Sequence, residues 1–251
     1  MTTSSASTLQ ASSPRTLDPA LRDIFLQVSV ATLSTALFKR GFRNTLIQGA
    51  LPLNPNAPRM VGLATTLRYI PSREDIDHVG TFADRENPQR KVVETMPAGH
   101  VLVIDSRGDA SAASAGGILI TRLIRRGVAG VVSDGGFRDA PDIRQMDFPV
   151  YCKSPSPPTN LTRHHAADID MPIGCGGVPV YPGDVIVGDL EGVIVIPAAI
   201  AAEVAQEAAQ MTVFEDFVME QVGNGASTYG LYPPEEPALR AFEQWKQAHG
   251  R

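Results

Sequence analysis

Residues 100–133 constrain the fold of this chain more than any other segment. His100–Asp105 is a short apolar run typical of a buried strand, and Val128–Ser133 is a second such run. Between them, Ile118–Arg126 has apolar residues at helical spacing and is followed by Gly127, a typical helix end. A strand, a helix and a strand in this order form a parallel, right-handed unit. The carboxyl ends of both strands and the N-terminus of the helix are therefore expected at one edge of the sheet.

Patterns on both sides of this unit predict an α/β fold with a mixed sheet and helical N- and C-terminal extensions. Further predicted helices cover 17–40 (one or two), 92–96, 139–146 and 198–222, and further predicted strands cover 61–67, 150–152, 178–180, 184–187 and 192–196. Turn residues separate the last three strands, which favours a hairpin or meander and hence some antiparallel pairing. The segments 71–90 and 153–175 have no sustained period and are predicted as mainly loop.

The chain has 251 residues, a length that suits one large α/β domain. Residues 1–16 are rich in Ser, Thr and Ala and lack the basic start and apolar core of a secretory signal, so we expect a disordered leader. Residues 17–225 are predicted as a single domain. Residues 226–251 are predicted as an ordered arm that packs on this domain or on a neighbouring subunit.

Charge and composition narrow the class of partner. The net charge of −5 offers no general cationic surface for phosphate backbones, so a small molecule is expected rather than nucleic acid. Charged residues or glycine interrupt every apolar run, so no membrane span is predicted. Cys152 and Cys175 are too few for a disulfide framework and suit a reducing compartment, which favours a cytoplasmic protein with both thiols in the core.

The first group of candidate site residues is Asp134-Gly-Gly-Phe-Arg-Asp139, which follows a predicted strand. Arg138 can bind a carboxylate through two parallel hydrogen bonds, and Asp139 is a hard oxygen ligand suited to Mg²⁺ or Mn²⁺. The structural alternative is that Asp139 caps the next helix and Arg138 pairs with it on the surface.

The second group is Gly116-Gly117, which opens the helix of the same unit. The free N–H groups of Ile118 and Leu119 are expected to point into the same crevice as Arg138. Together the two groups favour a small carboxylate ligand beside a metal held by Asp139. The alternative is that the two glycines only form a tight turn.

Three segments of the chain resemble the RraA-like family. They are Gly127-Val-Ala-Gly-Val-Val-Ser-Asp-Gly-Gly-Phe-Arg-Asp139, Cys175-Gly-Gly-Val178, and residues 182–189 with 192–197. The family includes class II 4-hydroxy-4-methyl-2-oxoglutarate aldolases with oxaloacetate decarboxylase side activity, and regulators of ribonuclease E. The resemblance implies a swivelling β/β/α fold and a divalent-metal-dependent carbon–carbon lyase for 2-oxo acids. It also implies a homotrimer or a hexamer built as a dimer of trimers, with sites between subunits.

The resemblance also implies roles for individual residues. Arg138 would bind substrate, Asp139 would hold the metal, and the backbone from Gly116 to Leu119 would hold the pyruvoyl end. An additional family Asp would fall at position 117, which is Gly117 here. A related dehydration or hydrolysis of a sugar-derived 2-oxo acid is therefore an enzymatic alternative. A non-catalytic ribonuclease regulator is the other alternative, although such regulators typically lack the metal Asp that this chain retains.

The family also uses a glutamate from the C-terminal helix of an adjacent subunit. Glu215 is the candidate here, with Asp216 and Glu220 as alternatives, and each can equally be a solvated carboxylate on a helix face.

The remaining residues bear on the type of chemistry. None of the four lysines lies in an apolar strand, which disfavours a Schiff-base aldolase. A metal that stabilises the pyruvate enolate suits both retro-aldol cleavage and oxaloacetate decarboxylation of a short 2-oxo acid with a further carboxylate or hydroxyl. His164 and His165 are predicted to be exposed in a polar loop rather than to bind metal. Arg107 either helps to bind substrate or forms a salt bridge within its loop.

Overall fold

The computed structural model describes residues 16–251, so nearly all of the predicted leader lies outside the described residues. The α-helices are α1 (Pro19–Gln27), α2 (Val30–Lys39), α3 (Pro88–Thr95), α4 (Gly117–Arg125), α5 (Ala140–Ile143), α6 (Ala201–Gly223) and α7 (Glu236–His249). The strands are β1 (Leu51–Pro52), β2 (Met60–Pro71), β3 (His100–Asp105), β4 (Ala113–Ala115), β5 (Gly130–Ser133), β6 (Gly136–Phe137), β7 (Val150–Cys152), β8 (Ser154–Pro155), β9 (His164–Ile169), β10 (Ile173–Cys175), β11 (Val178–Val180), β12 (Val185–Asp189) and β13 (Gly192–Ile196). Short 3₁₀ turns cover Val79–Ala83, Asn160–Thr162 and Ala198–Ile200.

The central sheet is mixed, as the sequence predicts. Its strand order is β1-β7-β5-β3-β2-β12-β13, and β9 pairs with the far end of β2. Strands β2, β3, β5 and β7 run parallel, whereas β1, β9, β12 and β13 pair antiparallel to their neighbours. The predicted strand–helix–strand unit is β3, α4 and β5, and β3 and β5 are parallel neighbours. The fold class is therefore confirmed as α/β with a mixed sheet.

Helices cover both faces of this sheet. α3, α4 and α5 pack on one face around Leu67, Ile104 and Ile120, whose side chains are at most 1% exposed. α1, α2 and α6 pack on the other face around Phe25, Leu33 and Val204. Burial of each such side chain contributes about 1.5–3 kcal/mol, so the two helical layers hold the sheet and the loops at its edge in a fixed arrangement.

Several predicted elements differ from the structure. The segment 153–175 contains β8, β9 and β10, so its prediction as loop is wrong. Strand β9 has largely polar residues and forms because it completes the hydrogen bonding of the free edge of β2. The predicted helix at 139–146 is reduced to the four residues of α5. Strand β11 pairs with β10 in a separate two-stranded sheet instead of continuing the β12–β13 hairpin.

The C-terminal arm contains α7, which packs on the end of α6. Phe217 of α6 contacts both Phe242 and Trp245 of α7, with its ring centre 5.5 and 5.8 Å from theirs. Among the described residues, no single helix is long and apolar enough to cross a membrane. The first two helices meet that criterion only when they are taken together, and they are bent by 107° at the break between them.

Candidate active site

A small parallel sheet brings the two predicted groups of site residues together. Strand β4 lies beside β6, and the N–H of Arg138 donates to the carbonyl of Ala115 at 3.1 Å. Because β4 leads into Gly116 at the start of α4 and β6 leads into Arg138, both segments leave this sheet at the same edge. These strands of two and three residues were not predicted, although they position the site.

The carboxylate of Asp139 is held by the start of α4. The N–H of Gly117 donates to Asp139 Oδ2 at 3.0 Å. Asp139 has the left-handed backbone conformation, with φ of 58°, and its carboxylate does not cap α5. Such a conformation is uncommon outside glycine but is more accessible to Asp than to most residues. Asp139 thus occupies the N-cap position of α5 without a side-chain cap bond, and the surface pairing with Arg138 that the structural alternative predicts is present.

Arg138 and Asp139 form a long ion pair, with Nε 3.5 Å from Oδ1. Their side chains are 47% and 38% exposed, so the pair contributes about 0–1 kcal/mol to stability. Pairing with Asp139 thus leaves most of the hydrogen-bonding capacity of the Arg138 guanidinium available to a ligand.

Both side chains line a cavity of about 180 Å³. The other residues that line it are Phe82, Gln89, Arg90, Ala113, Ala115, Gly116, Ile118, Leu119, Thr159 and Asn160. Two arginines and one carboxylate give the cavity a net positive charge, which suits an anionic ligand. The N–H groups of Ile118 and Leu119 belong to the first turn of α4, where no helical carbonyl is in reach.

Gly116 and Gly117 differ in how much space each has for a side chain. A Cβ on Gly116 would lie 2.6 Å from Cγ of Arg138 and 2.8 Å from Oδ2 of Asp139, so a side chain there would displace the pair. A Cβ on Gly117 would lie 3.6 Å from Oδ2 of Asp139, an ordinary contact. A Cβ at position 117 therefore meets Asp139 only in ordinary van der Waals contact.

Asp139 is the sole carboxylate among the residues lining this cavity. Within residues 16–251 there is no group of three or more His, Cys, Asp and Glu residues arranged to hold a metal ion. This donor set does not suit zinc, which takes three or four protein ligands. It fits Mg²⁺, which keeps several waters and is commonly held by one or two carboxylates together with oxygens of the substrate.

Glu215 lies away from this cavity in its own chain. Its Oε2 accepts a hydrogen bond of 2.7 Å from Thr32 Oγ1, and its side chain lines a second cavity between α2, α6 and the arm. Asp216 binds Arg251 at 2.5 Å, and Glu220 accepts from the indole of Trp245 at 2.9 Å. None of these three carboxylates lines the cavity of Arg138 and Asp139.

Asp134 and Arg107 are used within the fold. The buried Asp134 carboxylate accepts from the N–H groups of Ser106 at 2.7 Å, Gly108 at 2.9 Å and Gly176 at 3.1 Å, which ties three loops together. Arg107 does not line the cavity and donates to the carbonyl of Arg163 at 2.8 Å. Within the described residues it forms no salt bridge to a carboxylate, so the predicted loop salt bridge is not found.

The expectation that both histidines are exposed is wrong. His164 is fully buried on β9 and stacks on Tyr69 with ring centres 5.2 Å apart. Burial and the nearby Arg107 guanidinium lower the pKa of His164. His165 is half-buried, and its Nδ1 lies 2.8 Å from Asp77 Oδ1. The sequence signal that was missed is the weak alternation along β9, whose first and third residues face inward.

Both cysteines are buried and free, as predicted. Burial raises the pKa of Cys152 to about 11, and burial also raises the pKa of Cys175. Neither thiol is activated as a nucleophile.

Comparison with known proteins connects this site to a family. Residues 30–195 match the family model described as RraA-like, Aldolase/RraA. A Halalkalibacterium halodurans protein provisionally named 4-hydroxy-4-methyl-2-oxoglutarate aldolase is 40% identical over 62% of this chain and 68% of its own length. The 4-hydroxy-4-methyl-2-oxoglutarate aldolase of Thermus thermophilus is 32% identical over 43% of this chain and 65% of its own length. The match to the Protein DlpA of Legionella pneumophila, which is 27% identical, covers 83% of this chain but only 32% of that protein.

A solved structure gives the same relationship. The crystal structure of RraAS2 from Streptomyces coelicolor, an unusual member of the RNase ES inhibitor RraA protein family, superimposes with a TM-score of 0.70. It is 31% identical, and the match covers 80% of this chain and 96% of that protein.

Proposed function

The chain belongs to the RraA-like family, and from this premise we propose that it is a divalent-metal-dependent carbon–carbon lyase acting on a short 2-oxo acid. The observation that carries the proposal is the hydrogen bond from the N–H of Gly117 to Asp139 beside Arg138, on one wall of a positively charged cavity. This arrangement supports a site for an anionic substrate next to a metal-binding carboxylate. The names of the aldolase relatives support the same class of reaction.

In this proposal each group has a separate task. Arg138 binds the carboxylate of the 2-oxo acid through two parallel N–H groups. The N–H groups of Ile118 and Leu119, with the open backbone of Gly116 and Gly117, orient the pyruvoyl end. Asp139, oriented by Gly117, would hold Mg²⁺ or Mn²⁺. When bound, the cation would supply Lewis-acid stabilisation of the negative charge that develops as the carbon–carbon bond breaks.

Retro-aldol cleavage also needs a group that accepts the proton of the substrate hydroxyl. We propose Glu215 of a neighbouring subunit for this role, in a homotrimer or a dimer of trimers. The sequence resemblance supports this assignment, and it requires a neighbouring subunit because Glu215 lies outside the cavity of its own chain. Oxaloacetate decarboxylation has no hydroxyl proton to remove and would depend less on Glu215.

The test is a coupled assay of pyruvate release from oxaloacetate and from 4-hydroxy-2-oxo acids. We expect turnover with Mg²⁺ or Mn²⁺, loss of turnover with EDTA, and a decrease of at least about 100-fold in Asp139→Ala. Asp142→Ala is the matched control, because Asp142 is an exposed carboxylate on α5 that does not line the cavity. Metal-independent turnover, or full activity of Asp139→Ala, would exclude the mechanism.

Two alternatives have specific support. The first alternative is a related dehydratase or hydrolase, because Gly117 stands where the aldolases have Asp. Faster turnover of 2-oxo acids with sugar-like hydroxyl groups than of 4-hydroxy-2-oxo acids would favour it. The likeness to RraAS2 favours a non-catalytic regulator if the protein binds a ribonuclease and releases no product from any 2-oxo acid.

A further inference from the structure

Arg90 is a cation in the cavity that the proposed mechanism does not use. It lies in the first turn of α3 and lines the same cavity as Arg138 and Asp139. Its guanidinium carbon lies 4.8 Å from the ring centre of Phe82. Its Nε is buried, and in residues 16–251 that atom has no hydrogen-bond partner. One face of the guanidinium is thus covered by an aromatic ring, while its buried Nε–H is not satisfied by the described residues.

Apart from the contact with Phe82, the described residues offer no group that balances the charge of Arg90. A positive charge in the first turn of a helix is disfavoured by the helix dipole. The nearby carboxylates are paired with other cations, since Glu86 binds Lys91 at 2.6 Å and Glu94 binds Arg122 at 2.7 Å. In the described part of the chain Arg90 has no ion pair of its own. Burial of a guanidinium without a counter-charge carries a desolvation cost, which a bound anion in this cavity would offset.

The position of Arg90 is fixed by its neighbour on α3. The side chain of the buried Gln89 donates to the hydroxyl of Tyr69 and to the carbonyl of Ser114, both at 2.8 Å. These bonds attach the first turn of α3 to β2 and β4, and β4 leads directly to Gly116. Arg90 is therefore held in a defined position relative to the backbone that is proposed to bind the pyruvoyl end.

A neutral donor also lines this cavity. Asn160 is 6% exposed, and its Oδ1 accepts from Thr159 Oγ1 at 3.2 Å. This bond fixes the amide with its NH₂ group available as a donor. An amide NH₂ and a guanidinium edge are suitable hydrogen-bond donors for the two oxygens of a carboxylate.

We propose that Arg90, assisted by Asn160, binds a second carboxylate of the substrate, in addition to the one bound by Arg138. Arg90 is then a specificity-determining residue that selects 2-oxo dicarboxylic acids over 2-oxo monocarboxylic acids. The inference rests on the proposed function of the same cavity and names its substrate class.

The experiment measures binding by calorimetry in the presence of Mg²⁺, with two probes that lack the hydroxyl group needed for aldol cleavage. 2-Oxoglutarate and 2-oxopentanoate have the same five-carbon 2-oxo acid chain, and 2-oxoglutarate alone carries a second carboxylate. We expect the wild-type protein to prefer 2-oxoglutarate by about tenfold or more. Arg90→Gln should bind 2-oxoglutarate only as well as 2-oxopentanoate, with unchanged affinity for 2-oxopentanoate, and Arg90→Lys should recover part of the preference.

Arg85→Gln is the matched control, because it removes the same charge from the same segment and Arg85 is exposed outside the cavity. It should retain the full preference for 2-oxoglutarate. If Arg90→Gln weakens the binding of both probes equally, Arg90 has a structural role in its contact with Phe82 and the inference is overturned. The inference is also overturned if the wild-type protein shows no preference for 2-oxoglutarate. An Arg90-dependent preference without pyruvate release from oxaloacetate or from any 4-hydroxy-2-oxo acid would instead overturn the lyase proposal and leave the dicarboxylate site standing.

Discussion

Gly116 is the residue on which the geometry of the cavity depends most directly. We expect Gly116→Ala to reduce kcat/KM for pyruvate release at least about tenfold, because its Cβ would lie 2.6 Å from Cγ of Arg138 and would force that side chain away. Since Arg138 is largely exposed and can move, the free energy of unfolding in urea should fall by only about 1 kcal/mol.

Gly174→Ala is the control for this substitution. Gly174 is an exposed strand residue, and a Cβ there has no atom within 4 Å. Both its activity and its unfolding midpoint should equal those of the wild-type protein. Full activity of Gly116→Ala would show that Arg138 does not act from the position seen here.

At the scale of elements, the sequence predicts what strong apolar periodicity encodes. His100–Asp105 is found as β3 with the predicted bounds, and the helix predicted at Ile118–Arg126 is found one residue earlier as α4. The strand is a continuous apolar run and the helix has apolar residues at helical spacing, each with a clear end, so local preference and burial agree.

The rest of the cavity could not be predicted because its residues come from segments without a period. Arg90 follows a polar run on a short helix, and Asn160 lies in a 3₁₀ turn before the polar strand β9. Strands β4, β6 and β8 have two or three residues each, too few for alternation to be recognised. Their positions depend on tertiary pairing, which one sequence does not specify locally.

The contact between α6 and α7 gives an element-scale prediction. Phe217 is 2% exposed and contacts Phe242 and Trp245, so Phe217→Ala should detach α7 at a cost of about 3–4 kcal/mol to the local contact. Trp245 is the single tryptophan of the chain and reports on this helix directly. Its emission should shift to the red in the variant, and amides 236–249 should exchange hydrogen faster while those of β3 stay protected.

Phe38→Ala serves as the control, because Phe38 lies on α2 and is 57% exposed. It should change neither the emission of Trp245 nor hydrogen exchange in α7. Unchanged emission in Phe217→Ala would mean that α7 is held by contacts other than this aromatic cluster.

At the scale of the whole molecule, the proposed site is incomplete within one chain. Arg138 and Asp139 lie in one cavity while Glu215 lines another, and the exposed Ile118, 84% accessible, lies at the rim of the first. A neighbouring subunit that covers this rim would bury Ile118 and bring a second carboxylate to the substrate. This assembly predicts that two inactive variants complement each other.

Asp139→Ala and Glu215→Gln should each be nearly inactive in retro-aldol cleavage, because each removes one half of every site. After the two variants are mixed and their subunits exchanged, about a quarter of the sites should combine Asp139 of one chain with Glu215 of its neighbour. Pyruvate release should recover to that fraction of wild-type activity, with exchange verified by mass measurement of differently tagged subunits.

The control is a mixture of the wild-type protein with the double variant. Sites between subunits should again be intact in about a quarter of cases, whereas sites within one chain should be intact in about half. Exchanged subunits that stay inactive together would exclude a site shared between chains and would overturn the proposed role of Glu215 of a neighbouring subunit.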